Sequence, residues 1–139
     1  MATPKYRLID HTADLGFETE GKTLPDLFER AALALADIIA RIEPLVAREK
    51  REVRVQGRDD AARLRAFLDE VLFQFETKGF LPKKARVVID DDVVKGVLEG
   101  ESVDLATHPI ERVVKAVTYH GLLVEKRKKG FWARVILDL

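Results

Sequence analysis

The chain has 139 residues, 24 Lys and Arg against 24 Asp and Glu, 47% hydrophobic and 35% charged residues, and no cysteine. That length suits one domain, residues 1–139, with a real core. The balance of sign argues against a protein whose main business is coating nucleic acid or an anionic membrane, and the missing thiols remove disulfides, thiolate metal sites and cysteine nucleophiles together.

Residues 5–9 read as a first strand, and Leu15, Phe17 and Thr19 alternate against Glu18 and Glu20 as a second, so an early hairpin or bulged turn is expected around Asp10 to Asp14. Thr23 is a helix N-cap with Pro25 in the first turn and Asp26 three residues on. Leu27, Phe28, Ala31, Leu35, Ile38, Ile39 and Ile42 then recur at helical spacing up to Pro44. A strand follows over 51–56, and Asp59 or Asp60 caps a second helix striped by Leu64, Phe67, Leu68, Val71, Leu72 and Phe75, with Gly79 after its end. The remainder reads as strand: 85–89, a turn at Asp90 to Asp92, 93–99, a loop through Pro109, 113–120, 122–125, and 131–137 after a turn at Lys128 to Gly130. The expected class is α+β, a largely antiparallel sheet of seven or eight strands with two amphipathic helices on one face.

No apolar run approaches the ~20 residues of a transmembrane helix, and Met1 to Lys5 lacks a signal-peptide core; the expectation is a cytoplasmic protein with no membrane contact. The chain contains no asparagine and one methionine beside many Lys, Arg and Glu, the pattern of heat-adapted proteins. Walker A, GxGxxG, HExxH and GxSxG patterns are all missing, and Ser102 is the only serine, so the common nucleophilic and nucleotide-binding mechanisms have nothing to stand on.

Three segments carry chemistry. In Asp10-His11-Thr12-Ala13-Asp14-Leu15-Gly16 the carboxylates and imidazole suit a divalent ion, and they equally suit a turn in which Asp and Thr bond to local backbone. At the end of the chain, Asp138 falls on the face opposite Phe131 to Leu137, together with Arg134. It is either a surface partner of that arginine or, with a main-chain or terminal oxygen of Leu139, part of an oxygen-rich cation site. In Lys115-Ala116-Val117-Thr118-Tyr119-His120, His120 is a proton carrier, a ligand or a structural histidine. The basic tip Lys126 to Lys129, with Trp132 behind it, offers contacts to a phosphate backbone or is a soluble hairpin turn.

Taken together, His11-Thr12-Ala13-Asp14-Leu15-Gly16, Lys115 to His120 and the Asp138-Leu139 ending resemble the archease family, and the order of elements agrees over essentially the whole chain. The resemblance implies a small α+β protein that is not itself an enzyme. It implies a partner, the RtcB-type RNA ligase of tRNA splicing, whose guanylylation and repeated turnover the protein promotes, with tRNA contact indirect or transient. It also implies a divalent cation, Ca²⁺ ahead of Mg²⁺ or Mn²⁺, held by Asp14, Asp138 and Leu139. His11, Lys115, Thr118, Tyr119 and His120 are expected as a supporting shell. The alternatives are a metal-dependent phosphohydrolase using Asp14, His11 and Asp138, and an RNA-binding or chaperone-like module using the basic tip.

Overall fold

Both helices begin by the same device. Thr23 precedes α1 (Leu24–Ile39) with its side chain accepting from the Asp26 amide, and Asp59 precedes α2 (Asp60–Lys78) with its side chain accepting from the Ala62 amide, which satisfies one of the otherwise orphaned N–H groups of each first turn. α2 stops at Gly79, whose φ of 66° is left-handed and whose N–H returns to Gln74 and Phe75, the conformation glycine adopts most cheaply. α1 ends at Ile39, short of Pro44. The Asp37 carboxylate takes the Ile42 amide at 3.0 Å and the Tyr6 hydroxyl at 2.8 Å, so the chain leaves the helix extended at Ala40. The computed structural model describes residues 5–11, 14–104 and 106–139, the side chains of Asp10 and His11 excepted.

Eight strands are found among the described residues: β1 (Arg7–His11), β2 (Asp14–Gly21), β3 (Glu49–Gln56), β4 (Phe80–Asp90), β5 (Val93–Ser102), β6 (Ala116–Val117), β7 (Leu123–Arg127) and β8 (Gly130–Asp138). All pairings are antiparallel, as the short connections require. The alternating stripes suggested one sheet with both helices on one face; the strands instead divide into a five-stranded sheet, β1-β2-β8-β6 with β7 also on β8, and a three-stranded sheet, β3-β5-β4.

The reason for the division lies in α1. Besides its large residues, the helix buries Ala31, Ala32, Leu33, Ala34 and Ala36, so it is apolar nearly all round. A helix of that kind has to be covered on several sides, and α1 lies against β2 and β8 of one sheet and β4 of the other. The more one-sided α2 covers the three-stranded sheet, with Phe67 stacked on Phe28 of α1 at 6.1 Å between ring centroids. A Cβ at Gly96 of β5 would stand 2.8 Å from the Phe67 ring. That glycine is what lets the helix settle onto the sheet.

β4 contains Pro82 next to a register shift between Pro82 and Lys84, the kind of position that tolerates a missing donor. Farther along, the Val87 amide of β4 donates to the Glu29 carboxylate of α1 at 2.9 Å. Burial raises the Glu29 pKa above its ordinary 4.5, against the lowering effect of that amide and of Arg86. A raised carboxyl pKa means the folded state holds its proton more tightly than the unfolded one, so this contribution to stability is present at low pH and lost as pH rises through the folded value. Glu29→Gln, which keeps an oxygen for the amide, is expected to unfold at an equal or higher temperature than wild type at neutral pH, the difference closing below pH 4.5. Calorimetric melts across that range check it.

The segment expected as a strand over 113–120 is a strand only at Ala116–Val117. The edge of β8 explains this. β6 pairs with Leu137 and Asp138, and β7 with Gly130 to Arg134, so two short strands share one edge with a turn between them. Gly121 makes that turn at φ 73°. Lys115 donates to the Asp138 carbonyl at 2.7 Å.

Candidate functional site

β2 and β8 are amphipathic strands with their apolar faces on α1. Leu15, Phe17 and Thr19 are buried on one, and Ala133, Val135 and Leu137 on the other. The period of two then places Asp14, Gly16 and Glu18 on the opposite face of β2, and Arg134, Ile136 and Asp138 on the opposite face of β8. The register is Asp14 to Asp138, Gly16 to Ile136 and Glu18 to Arg134. The two carboxylates singled out from opposite ends of the sequence are therefore direct cross-strand partners, on the same face and at the same end of the sheet. Opposed Cβ atoms stand about 5 Å apart in such a pair, a separation that two short carboxylates can bridge through one cation.

The row extends on both sides. His11 is the register partner of Asp14 on β1, and Ala116 is that of Asp138 on β6. The His11 side chain, Thr12 and Ala13 lie outside the described residues, so the expected supporting role of His11 has no geometry to report. Leu139 follows Asp138 directly and is 38% exposed. The Asp138 carbonyl accepts from the Lys115 amide; the Asp138 carboxylate and the oxygen of Leu139 are the further oxygens at this end of β8. Asp14 and Asp138 with that oxygen form an all-oxygen set, the preference of hard cations. Among the described residues no three His, Cys, Asp or Glu side chains gather into a cluster that could hold a metal; an ion here would rest on two carboxylates, main-chain oxygen and water.

Beneath the carboxylates the outer face is sealed by an apolar plug. Ile136, 2% exposed on the side away from the main core, fits against two glycines. A Cβ at Gly16 would come within 2.9 Å of its Cδ1, and one at Gly121 within 3.0 Å of its Cγ1. That accounts for the glycine after Asp14-Leu15 by packing. The Arg134 guanidinium donates to the Gly121 carbonyl at 3.0 Å, which holds the turn over the plug and makes Arg134 a clamp for the 118–122 segment.

The other motif residues divide. Val117 is fully buried. The Thr118 amide donates to the Ile136 carbonyl at 3.0 Å, and its hydroxyl donates to the His120 carbonyl at 3.1 Å, so Thr118 is a builder of the turn. Lys115 contributes its backbone to the row through Asp138. Tyr119 is 63% exposed, with the Arg65 guanidinium 3.9 Å over its ring. Arg65 also donates to the Val117 carbonyl at 3.0 Å, and beside it Asp69 is raised above its ordinary pKa by burial, partly offset by that arginine. No spacing in the sequence pointed to Arg65: it reaches the motif across 52 positions.

The comparisons with known proteins agree with this architecture. The model of the Archease protein family matches residues 6–139. The archease of Archaeoglobus fulgidus is 38% identical over 138 residues, covering 97% of this chain and 99% of that one, and the archease of Pyrococcus furiosus is 32% identical over 135 residues, covering 94% and 95%. The solution structure of Methanobacterium thermoautotrophicum protein 1598 superposes with a TM-score of 0.82 at 34% identity, covering 96% of this chain and 98% of that one. A crystal structure of a Thermotoga maritima archease, described as a "possible chaperone", shares the fold at a TM-score of 0.61 and 21% identity, covering 94% of each chain. Among the described residues, no helix is long and apolar enough to cross a membrane. The chain belongs to the archease family.

Proposed function

We propose that this protein is a non-catalytic cofactor of an RtcB-type RNA ligase in tRNA splicing, promoting the ligase's guanylylation and multiple turnover, with its own divalent cation held by Asp14, Asp138 and Leu139. The observation that supports this most is the register of β2 on β8, which sets Asp14 opposite Asp138 and gives the family resemblance of the two motifs a common physical location. Calcium suits the set best, because Ca²⁺ accepts irregular oxygen ligands and water where Mg²⁺ demands near-octahedral geometry. A bound ion would supply positive charge at the sheet end. The chain's own part is to hold that charge rigidly: Ile136 keeps the floor of the row dry, and Lys115 and Arg134 fix the backbone on either side. A surface of this kind favours one conformation of a partner by binding it better than the other.

The test is multiple-turnover ligation of cleaved tRNA exon halves by an RtcB-type ligase from the same source, with this protein substoichiometric to the ligase. Product well beyond one turnover per ligase is expected. No change in turnover sinks the reading, and metal-dependent hydrolysis of RNA or nucleotides by the protein alone would put the phosphohydrolase in its place.

A further inference from the structure

The three-stranded sheet turns one face to the helices and leaves the other open. On the open face the register sets Arg54 of β3 directly opposite Lys95 of β5, and Lys95 opposite Val88 of β4. Arg86, paired with Val97, is the diagonal neighbour of Lys95. These side chains line a shallow trough of about 600 Å³. Like charges directly opposed in a sheet are destabilising. Elsewhere on this face the opposition is of unlike charges, Lys50 against Glu99 at 3.9 Å. Among the described residues, the side chains of Arg54 and Lys95 have no hydrogen bond or ion pair, Arg86 acts only electrostatically, on the Glu29 carboxylate, and Glu52 shares the lining of the trough without an ion pair to any of the three.

We infer that this trough binds the phosphate backbone of RNA. The Cβ atoms of opposed residues in such a sheet stand about 5 Å apart and those on the diagonal about 7 Å, and long cationic side chains rising from these positions can reach successive phosphates of an extended strand. An anionic chain laid across the sheet meets all three and relieves the Arg54–Lys95 opposition. A protein partner fits less well: the trough has no aromatic side chain, its apolar lining being the valines Val53, Val88 and Val97, whereas protein interfaces concentrate their affinity in buried aromatic and arginine anchors. The same lack of aromatics removes base stacking, so the contact is to the backbone and is indifferent to sequence. The choice of RNA among polyanions rests on the ligase reading above, which brings RNA alongside this protein; the trough itself is on the other sheet from Asp14 and Asp138.

The experiment is fluorescence anisotropy of a labelled single-stranded RNA titrated with the whole protein, without ligase or metal, at several salt concentrations. Three phosphate contacts to a single strand predict a loss of affinity of roughly 20-fold between 50 and 200 mM salt. Arg54→Ala/Arg86→Ala/Lys95→Ala is expected to weaken binding by roughly tenfold or more at low salt and flatten the salt dependence, whereas Lys126→Ala/Lys128→Ala/Lys129→Ala at the hairpin tip stays within about twofold of wild type. The triple variant should unfold no earlier than wild type, since it removes opposed like charges; should it not fold, Lys95→Gln alone carries the test in the same direction. Salt-insensitive or absent binding overturns the inference, as does loss of binding in the tip variant instead. Competition by a polyglutamate peptide as strong as that by unlabelled RNA assigns the trough to an acidic protein. Because no ligase is present, failure here leaves the turnover experiment untouched.

Discussion

Calcium added to the wild-type protein is expected to raise its unfolding temperature, and Asp14→Asn and Asp138→Asn are each expected to abolish that shift together with the stimulation of ligation. An ion bound only by the native state stabilises it by about 2.7 kcal/mol at a hundredfold excess over its dissociation constant, which for a domain of this size is on the order of 9 °C. Asparagine keeps the shape of the side chain and one oxygen but removes the charge, and so a large share of the anionic attraction of a set with only two side-chain carboxylates. Neither substitution disturbs the core: Asp14 and Asp138 are on the face away from α1, and the bond from the Lys115 amide to the Asp138 carbonyl is main-chain. Melting curves with and without calcium, run beside the turnover assay, separate two ways of failing. Variants that retain both the shift and the stimulation end the metal reading. Variants that lose the shift yet still stimulate leave a bound ion with no part in activation.

Phe67→Ala is expected to be among the most damaging changes in the chain, costing about 3–5 kcal/mol, a fall in unfolding temperature on the order of 10–17 °C. Phe67 is fully buried, stacks on Phe28 of α1, and fills the space that Gly96 leaves open on β5. It therefore joins both helices to the three-stranded sheet, and truncation leaves a cavity bounded by three elements that cannot all collapse into it. Chemical denaturation of the variant reads the loss directly. A cost below about 1.5 kcal/mol, the range of a volume-conserving swap, would mean that the junction repacks and that the two sheets are less firmly coupled through α1 and α2 than this contact indicates.

The caps at Thr23 and Asp59, the stop at Gly79 and the period-two stripes of β2 and β8 were legible in the sequence because each is a local rule: a side chain answering an amide three residues on, a glycine taking a positive φ, side chains alternating across a pleat. So were the α+β class and the candidate carboxylates, which the two motifs marked by their likeness to a family. Tertiary structure alone decided what meets what. A shift of one residue in the β2–β8 register would have put Asp14 opposite Leu137; burial of Leu15 and Phe17 beside Val135 and Leu137 opposes such a slip, and the observed pairing is the one in which Ile136 fits against Gly16 and Gly121. The strand expected over 113–120 shrank to two residues because β8 offers only Leu137 and Asp138 at that edge. Arg65 reached the Tyr119 motif from a helix 52 positions away, a contact with no local signature. The division into two sheets came from the all-round apolar surface of α1: only Ala31 among its alanines fell on the expected stripe, and the fold buries Ala32, Ala34 and Ala36 as well.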